Sequence, residues 1–290
     1  MNTKFNGIFT ALLTPFDEND KINEKALERL VKANVEKGVT GFYVCGSTGE
    51  PFLMSADERK YVMEIVKSCA KDKTLIAHIG SLNEREAYEL GAYANKLSYD
   101  MVSSVTPYYY KFSFSEIKDY YVRVADRSGL PMLAYHIPAL SGVTLGVNDL
   151  SEFLGDSRFA GIKYTSNDYF TLEQIKTQFP GKIVYNGYDE MYLSGLSMGA
   201  DGAIGTTYNF MADKFVSITK LFAEGKMEAA LEVQRQANRI IAILCKIGVI
   251  PATKEVLNQM GYDIGICRKP FGTLSDEAKK TIAKEIIPYL

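Results

Sequence analysis

Short apolar runs alternate along most of the chain with longer stretches in which apolar residues recur every three or four positions. The runs are nearly continuous rather than alternately apolar and polar, which is typical of strands buried on both faces of a parallel sheet. The longer stretches predict amphipathic helices that pack against such a sheet. The predicted strands lie at residues 7–13, 41–45, 75–79, 101–105, 131–135, 159–165, 182–186 and 201–205.

A predicted helix follows each of these strands. The first helix opens near Asn23, and Ser55 and Ser113 each precede a glutamate by three residues, the sequence signature of a capping box. The predicted helices span residues 23–38, 55–69, 83–97, 147–154, 171–179, 191–198 and 209–223, with one more that opens at Ser113. Eight strand–helix units in succession predict an α/β protein that closes into a (β/α)8 TIM barrel. An open, doubly wound sheet is the alternative, but no GxGxxG motif follows the first strand.

Beyond Gly225 the pattern is helical only, with amphipathic stretches at residues 226–246, 251–260 and 275–287. These stretches have no strand to pair with, so they predict a C-terminal helical extension. We therefore predict two domains. Residues 1–225 form the (β/α)8 barrel with the active site, and residues 226–290 form a three-helix extension.

The composition narrows the class of partner. The chain of 290 residues is 47% hydrophobic and 23% charged, with a formal net charge of -2, so neither a nucleic acid nor an anionic membrane is an expected partner. No apolar run is long enough to cross a bilayer. The segment from Met1 to Gly7 lacks the apolar centre of a signal peptide, and we expect a cytoplasmic protein.

The cysteines and histidines show no metal-binding spacing. The cysteines form no CxxC pair, and we expect buried, reduced thiols rather than a disulfide framework or a zinc site at Cys45, Cys69, Cys245 and Cys267. His78 and His136 belong to no HxH or HExxH pattern. We therefore expect no metal ion.

The sixth predicted strand ends in a lysine, Lys163, on the face that it shares with Gly161 and Thr165. Burial opposes the charge of an amine, and an uncharged amine can attack a carbonyl carbon. The alternative is a lysine whose ammonium reaches solvent at the strand end. The strand pattern alone leaves these two interpretations equally open.

Further polar groups follow other strands, where a barrel of this kind locates its chemistry. The turn at residues 46–50, rich in glycine and hydroxyls, is either an anion nest or a plain turn. Tyr135 could relay protons beside an amine. Asp189 and Glu190 either bind a polyol or begin a helix. The tyrosines at residues 108–110 either pack within their loop or form an interface patch.

Taken together, these motifs resemble the dihydrodipicolinate synthase / N-acetylneuraminate lyase family of class I pyruvate aldolases. The resemblance covers essentially the whole chain, including the helical extension. It rests on four segments: Gly46-Ser47-Thr48-Gly49-Glu50, Tyr135-x-Ile137-Pro138, Gly161-Ile162-Lys163 and Asp201-Gly202-Ala203-Ile204-Gly205. Residues 135–142, 163–168 and 186–190 resemble the branch of the family that cleaves N-acetylneuraminate.

The resemblance implies a lyase that splits N-acetylneuraminate, a sialic acid, into N-acetyl-D-mannosamine and pyruvate without a metal or an organic cofactor. Lys163 would form a Schiff base with the keto carbon, and Tyr135 would shuttle protons. Ser47 and Thr48 would hold the carboxylate. A tyrosine of the 108–110 run, Tyr110, would be donated to the site of a neighbouring subunit in a homotetramer. The sugar would be bound by Thr165, Gly187, Asp189, Glu190 and Thr206.

Two positions depart from the family pattern. Where the synthase branch has an arginine that binds the carboxylate of aspartate semialdehyde, this chain has Leu140, which argues against synthase activity. Thr206 stands where the bacterial lyases are expected to have serine. The rival functions are another pyruvate-dependent aldolase or a dehydratase acting on a keto-deoxy sugar acid, and a non-catalytic relative that binds a sugar acid. The last of these has no need of Lys163, and Asp189-Glu190 argue against the dehydratase.

Overall fold

The computed structural model describes residues 3–290, and its strands are parallel and close into a barrel in chain order. This confirms the predicted (β/α)8 barrel. The strands are β1 Gly7–Ala11, β2 Gly41–Val44, β3 Thr74–His78, β4 Met101–Val105, β5 Met132–His136, β6 Phe159–Tyr164, β7 Ile183–Asn186 and β8 Gly202–Gly205. Almost every strand residue is buried, as the continuous apolar runs predict.

Helices connect the strands and continue beyond the last one. Those between or directly after strands are α1 Glu24–Glu36, α2 Ala56–Cys69, α3 Glu84–Lys96, α4 Phe114–Ser128, α5 Pro138–Ser141, α6 Val147–Leu154, α7 Tyr169–Gln178, α8 Tyr192–Ser197 and α9 Tyr208–Ala223. The C-terminal helices are α10 Met227–Ile247, α11 Val249–Gln259 and α12 Asp276–Glu285. None of the helices within residues 3–290 combines the length and the apolar character needed to cross a membrane.

The predicted helix starts are confirmed at the level of single hydrogen bonds. The side chain of Asn23 accepts the backbone N–H of Ala26, which caps α1. Capping boxes are present at Ser55 with Glu58 and at Ser113 with Glu116. Each box satisfies two of the backbone N–H groups that a helix start leaves without a partner.

The first strand is shorter than its apolar run. It ends at Ala11, whereas the run continues to Leu13. The backbone N–H of Leu13 donates to Oδ1 of Asn209 at 3.1 Å, so a side chain takes the place of a neighbouring strand. A buried side-chain acceptor of this kind leaves no trace in the hydrophobic pattern.

One prediction about the cysteines is wrong. Cys45, Cys69 and Cys267 are buried, but Cys245 is exposed. Cys245 follows the buried Leu244 on α10, and successive residues of a helix point about 100° apart, which turns the thiol towards solvent.

Contacts within the chain group it into two compact units. One consists of the described residues up to Gly7 together with Thr74–Ile204, and the other of Ile8–Lys73 together with Gly205–Leu290. The domain boundary at residue 225 stays a prediction.

Candidate active site

The first unit holds the predicted nucleophile. Lys163 lies near the carboxyl end of β6, is only 5% exposed, and pairs in register with Tyr135 of β5. Directly paired residues of neighbouring strands point to the same face. The amine Nζ accordingly lies 4.1 Å from the centre of the Tyr135 ring. The amine of Lys163 is therefore buried and does not reach solvent at the strand end.

A glycine two residues earlier lets the strands approach at this point. A Cβ at Gly161 would lie 1.9 Å from the carbonyl oxygen of Ile183 on β7, so no other residue fits without moving the backbone. Gly161 therefore helps to fix the position from which Lys163 points.

Thr165 follows the end of β6. Its backbone N–H donates to the carbonyl of His136 at 2.8 Å, and its side chain is 4% exposed. Its hydroxyl oxygen is buried and makes no hydrogen bond within residues 3–290. A Cβ at Gly187 would lie 1.8 Å from that oxygen, so a glycine is required beside it. A buried hydroxyl without a partner is costly unless a bound molecule supplies one.

The carboxylates predicted to bind a polyol follow β7. Asp189 is buried and begins a short 3-10 helix, while Glu190 is partly buried. The preceding residue, Tyr188, has its backbone carbonyl fixed by the side-chain amide of Asn186 at 2.6 Å. Burial raises the pKa of Tyr188, and the nearby carboxylate of Glu190 adds to this effect. The segment therefore holds the phenol of Tyr188 close to the carboxylate of Glu190.

His136, on the opposite face of β5 from Tyr135, is a buried and uncharged ring. It stacks on Tyr164 with 5.2 Å between ring centres. Burial lowers the pKa of His136 to about 4, so the imidazole is neutral near neutral pH.

The tyrosine loop after β4 is on the surface. Tyr109 is 84% exposed and Tyr110 is 64% exposed, with their rings edge to face at 5.0 Å. Tyr109 adopts a left-handed backbone conformation with φ 75°, which non-glycine residues rarely adopt. The loop exposes two large aromatic side chains that contact each other, and such an exposed patch favours the interface interpretation.

The second unit holds the hydroxyl-bearing residues that are predicted to bind the carboxylate of the substrate. Ser47 and Thr48 lie in a 3-10 turn directly after β2, and the hydroxyl oxygen of Thr48 is 2.7 Å from that of Thr206. The turn after β8 is fixed by Asn209, whose amide donates to the carbonyls of Ala11 and Thr206, each at 2.7 Å. Two strand ends of this unit thus present hydroxyls to each other.

Sequence reasoning missed one charged pair in this unit. Glu50 is the last residue of the turn at residues 46–50, which we call the hydroxyl turn because it carries Ser47 and Thr48. A carboxylate oxygen of Glu50 lies 2.6 Å from Nζ of Lys254 on α11. Their side chains are 0% and 1% exposed. The two residues are far apart in sequence, and a lysine within an amphipathic helix gives no signal that it is buried. Only the chain fold reveals the pair.

Comparison with known proteins identifies the family. Residues 4–287 match the dihydrodipicolinate synthetase family. The chain belongs to that family. This agrees with the motifs at residues 46–50, 135–138, 161–163 and 201–205 and with the resemblance over the C-terminal helices.

Several relatives within the family are similar over nearly their whole length. The chain is 43% identical over 280 residues to an N-acetylneuraminate lyase of Escherichia coli strain SMS-3-5, covering 96% of this chain and 94% of the relative. The structure of CdNal from Clostridium difficile in complex with mannosamine is 38% identical, with a TM-score of 0.95 and coverage of 98% and 99%. The N-acetylneuraminate lyase of Fusobacterium nucleatum complexed with pyruvate is 40% identical, with a TM-score of 0.92 and coverage of 98% of each chain.

Proposed function

We propose that this protein is a sialic acid aldolase, a carbon–carbon lyase that reversibly cleaves N-acetylneuraminate to N-acetyl-D-mannosamine and pyruvate. The observation that carries the proposal is the buried amine of Lys163, 4.1 Å from the Tyr135 ring at adjacent strand ends. The similarity to N-acetylneuraminate lyases, one of them complexed with pyruvate, supports the same substrate for this chain.

Lys163 is the proposed nucleophile. Its uncharged amine attacks the keto carbon of the open-chain sugar acid, and loss of water leaves a protonated imine. A base removes the proton from the hydroxyl on the carbon beyond the bond to be broken. That carbon–carbon bond then cleaves, and the sugar leaves as an aldehyde. The electron pair of the broken bond moves into the imine to give an enamine. Protonation of the enamine and hydrolysis of the imine release pyruvate and restore the amine.

Tyr135 is the proposed proton shuttle for the hydroxyl of the substrate. A phenol acts as a base only when a neighbouring group accepts its proton. Its position against Lys163 supports this role because both side chains then reach the same few atoms of the substrate.

Ser47 and Thr48 are proposed to bind the carboxylate of the keto acid. Hydroxyls and exposed backbone amides of a tight turn bind anions well, and a fixed carboxylate orients the keto carbon for attack. The motif at residues 46–50 and the segment that contains Lys163 both carry the resemblance to the family, which is the basis for assigning these hydroxyls and Lys163 to one substrate.

The polyhydroxylated part of the sugar is proposed to contact Thr165, Gly187, Asp189, Glu190 and Thr206. The buried hydroxyl of Thr165, which has no hydrogen-bond partner within the described chain, supports a contact with a ligand. Gly187 has no side chain to displace that hydroxyl, because a Cβ there would lie 1.8 Å from the Thr165 oxygen. Ionised carboxylates accept strongly from sugar hydroxyls.

Tyr110 is proposed to act in the site of a neighbouring subunit within a homotetramer. Its 64% exposure and its edge-to-face contact with the exposed Tyr109 support an interface role. We also propose a cytoplasmic location, because the cysteines form no disulfide within residues 3–290 and thiols persist in a reducing compartment. The lysine supplies the electron sink, so the proposed reaction requires neither a metal ion nor an organic cofactor.

Leu140 supports the lyase over the synthase of the same family. It lies in α5 and is 69% exposed, and it carries no charge that could bind a second carboxylate.

The direct test is cleavage of N-acetylneuraminate with both products measured. We expect equimolar pyruvate and N-acetyl-D-mannosamine, no loss in the presence of EDTA, and a fall of about a thousandfold or more for Lys163→Met. Pyruvate release from a keto-deoxy sugar acid but not from N-acetylneuraminate would assign the protein to the rival aldolase instead.

A further inference from the structure

The buried ion pair of Glu50 and Lys254 adjoins the hydroxyl turn but belongs to no step of the proposed reaction. Glu50 ends the turn that carries Ser47 and Thr48, and it does so in a left-handed conformation with φ 58° and ψ 42°. That conformation favours glycine, because the Cβ of any other residue is crowded there. The contacts of the Glu50 carboxylate offset the cost of this conformation.

Both carboxylate oxygens of Glu50 are engaged. Oε1 is in ion-pair contact with Nζ of Lys254 at 2.6 Å, and Oε2 accepts the backbone N–H of Arg268 at 2.8 Å. Nζ of Lys254 also donates to the carbonyl of Ile266 at 3.0 Å. The carboxylate is thereby attached to α11 and to the segment after it.

A second layer of contacts holds the cations themselves. The ammonium of Lys254 lies 4.4 Å from the centre of the Phe16 ring, and the guanidinium of Arg268 lies 4.2 Å from the same centre. Arg268 is in turn bound to the carboxylates of Asp20 and Glu58. Each cation is therefore held by a ring as well as by its anions.

The turn is connected to this cluster by short backbone links. The N–H of Glu50 donates to the carbonyl of Ser47 at 3.2 Å, and the hydroxyl of Thr14 donates to the carbonyl of Gly49 at 2.8 Å. A displacement of Glu50 would therefore displace the backbone that carries the hydroxyls of Ser47 and Thr48.

We propose that Lys254, acting through Glu50, is a positioning residue that fixes the Ser47–Thr48 turn for binding the carboxylate of the keto acid. The inference rests on the proposed function, because it assumes that this turn binds that carboxylate. It assigns α11, in the C-terminal extension, a part in substrate binding that its distance along the chain conceals.

The test compares two ketones as ligands of Lys163. Pyruvate has a carboxylate and hydroxyacetone does not, and borohydride traps either one as a stable adduct. For Lys254→Met, the pyruvate concentration that gives half-maximal trapping should rise about tenfold or more, with the same maximal adduct at saturation. The concentration for hydroxyacetone should stay unchanged.

Two further variants keep the test decisive. Lys254→Met leaves a buried carboxylate unpaired, which can prevent folding, so Lys254→Met/Glu50→Gln removes both charges and should show the same selective increase. Lys176→Met is the matched control. It breaks the partly buried ion pair with Asp201, 2.6 Å apart in the other unit, and should lower stability without changing either concentration.

Equal weakening of both ketones, or no change for pyruvate in a folded variant, would overturn the positioning role. If the unaltered protein formed no adduct with pyruvate at Lys163, the proposed function itself would fail. The two failures are therefore distinguishable.

Discussion

Thr165 has a hydroxyl that the fold does not use. Its oxygen is buried beside Gly187 and makes no hydrogen bond to any other described residue. Folding around such a group costs free energy, and a ligand hydroxyl that donates to it recovers part of that cost. The sequence placed Thr165 on the same face as Lys163, but it gave no indication that the hydroxyl is buried and unpaired.

Thr165→Val should therefore affect binding more than stability. Valine has nearly the same shape and no hydroxyl, so the free energy of unfolding should change by less than about 1 kcal/mol. KM for N-acetylneuraminate should rise about tenfold, since a lost hydrogen bond is worth about that factor. Borohydride trapping of pyruvate should be unaltered, because pyruvate lacks the sugar. A large loss of stability with unchanged KM would show that the hydroxyl serves the fold.

At the scale of elements, the paired ends of β5 and β6 separate two aromatic environments. On one face Tyr135 pairs with Lys163, and on the other His136 pairs with Tyr164. Strand alternation requires that Tyr135 and His136 point in opposite directions. It could not predict the stack of His136 on Tyr164, since that depends on the register between strands that are far apart in sequence.

The buried ring of His136 should make stability depend on pH. The unfolded chain binds a proton there near pH 6.5, but burial lowers the pKa of the folded state to about 4. The unfolded state therefore holds more protons between these values, so the stability is complete above pH 6.5 and is lost as the pH falls towards 4.

We expect this histidine to lower the free energy of unfolding by about 2 kcal/mol between pH 7 and pH 5. His136→Phe keeps a ring on Tyr164 without a titrating group. It therefore serves as the control for the pH dependence that comes from the carboxylates and the other histidine. Urea unfolding of both proteins at one protein concentration gives the difference. Equal slopes with pH would contradict a neutral, buried imidazole.

Helix starts were the elements that the sequence predicted most closely. A cap such as Asn23, or the box of Ser55 with Glu58, acts within four residues and is therefore visible in the sequence. The end of β1 was less predictable, because Asn209 supplies the acceptor from a distant part of the chain. The charged pair of Glu50 and Lys254 was hidden for the same reason. Signals that act within a few residues can be predicted from the sequence, whereas contacts between distant segments depend on the fold.

At the scale of the whole molecule, the exposed loop of Tyr109 and Tyr110 bears on assembly. An active site that borrows Tyr110 from a neighbour is complete only in an oligomer. A single chain would then have no complete site, because the tyrosine and the lysine of one site come from two subunits.

Mixed oligomers should therefore recover activity that neither parent has. Tyr110→Ala alone should lose about a hundredfold in activity, as expected for a group that assists proton transfer, and Lys163→Met should lose more. In oligomers assembled from equal amounts of both, about one quarter of the sites receive an intact lysine and an intact tyrosine. Activity should rise to about that fraction. If the mixture has only the mean activity of its parents, Tyr110 does not act across an interface.

The central claim is that Lys163 forms a Schiff base with pyruvate, and reductive trapping tests it most directly. The protein is incubated with pyruvate, reduced with borohydride, digested and analysed by mass spectrometry. Lys254, whose side chain is 1% exposed, serves as the internal control for a buried lysine outside the proposed chemistry. We expect one carboxyethyl group on the peptide that contains Lys163 and none on the peptide that contains Lys254. No adduct, or an adduct confined to another lysine, would contradict it.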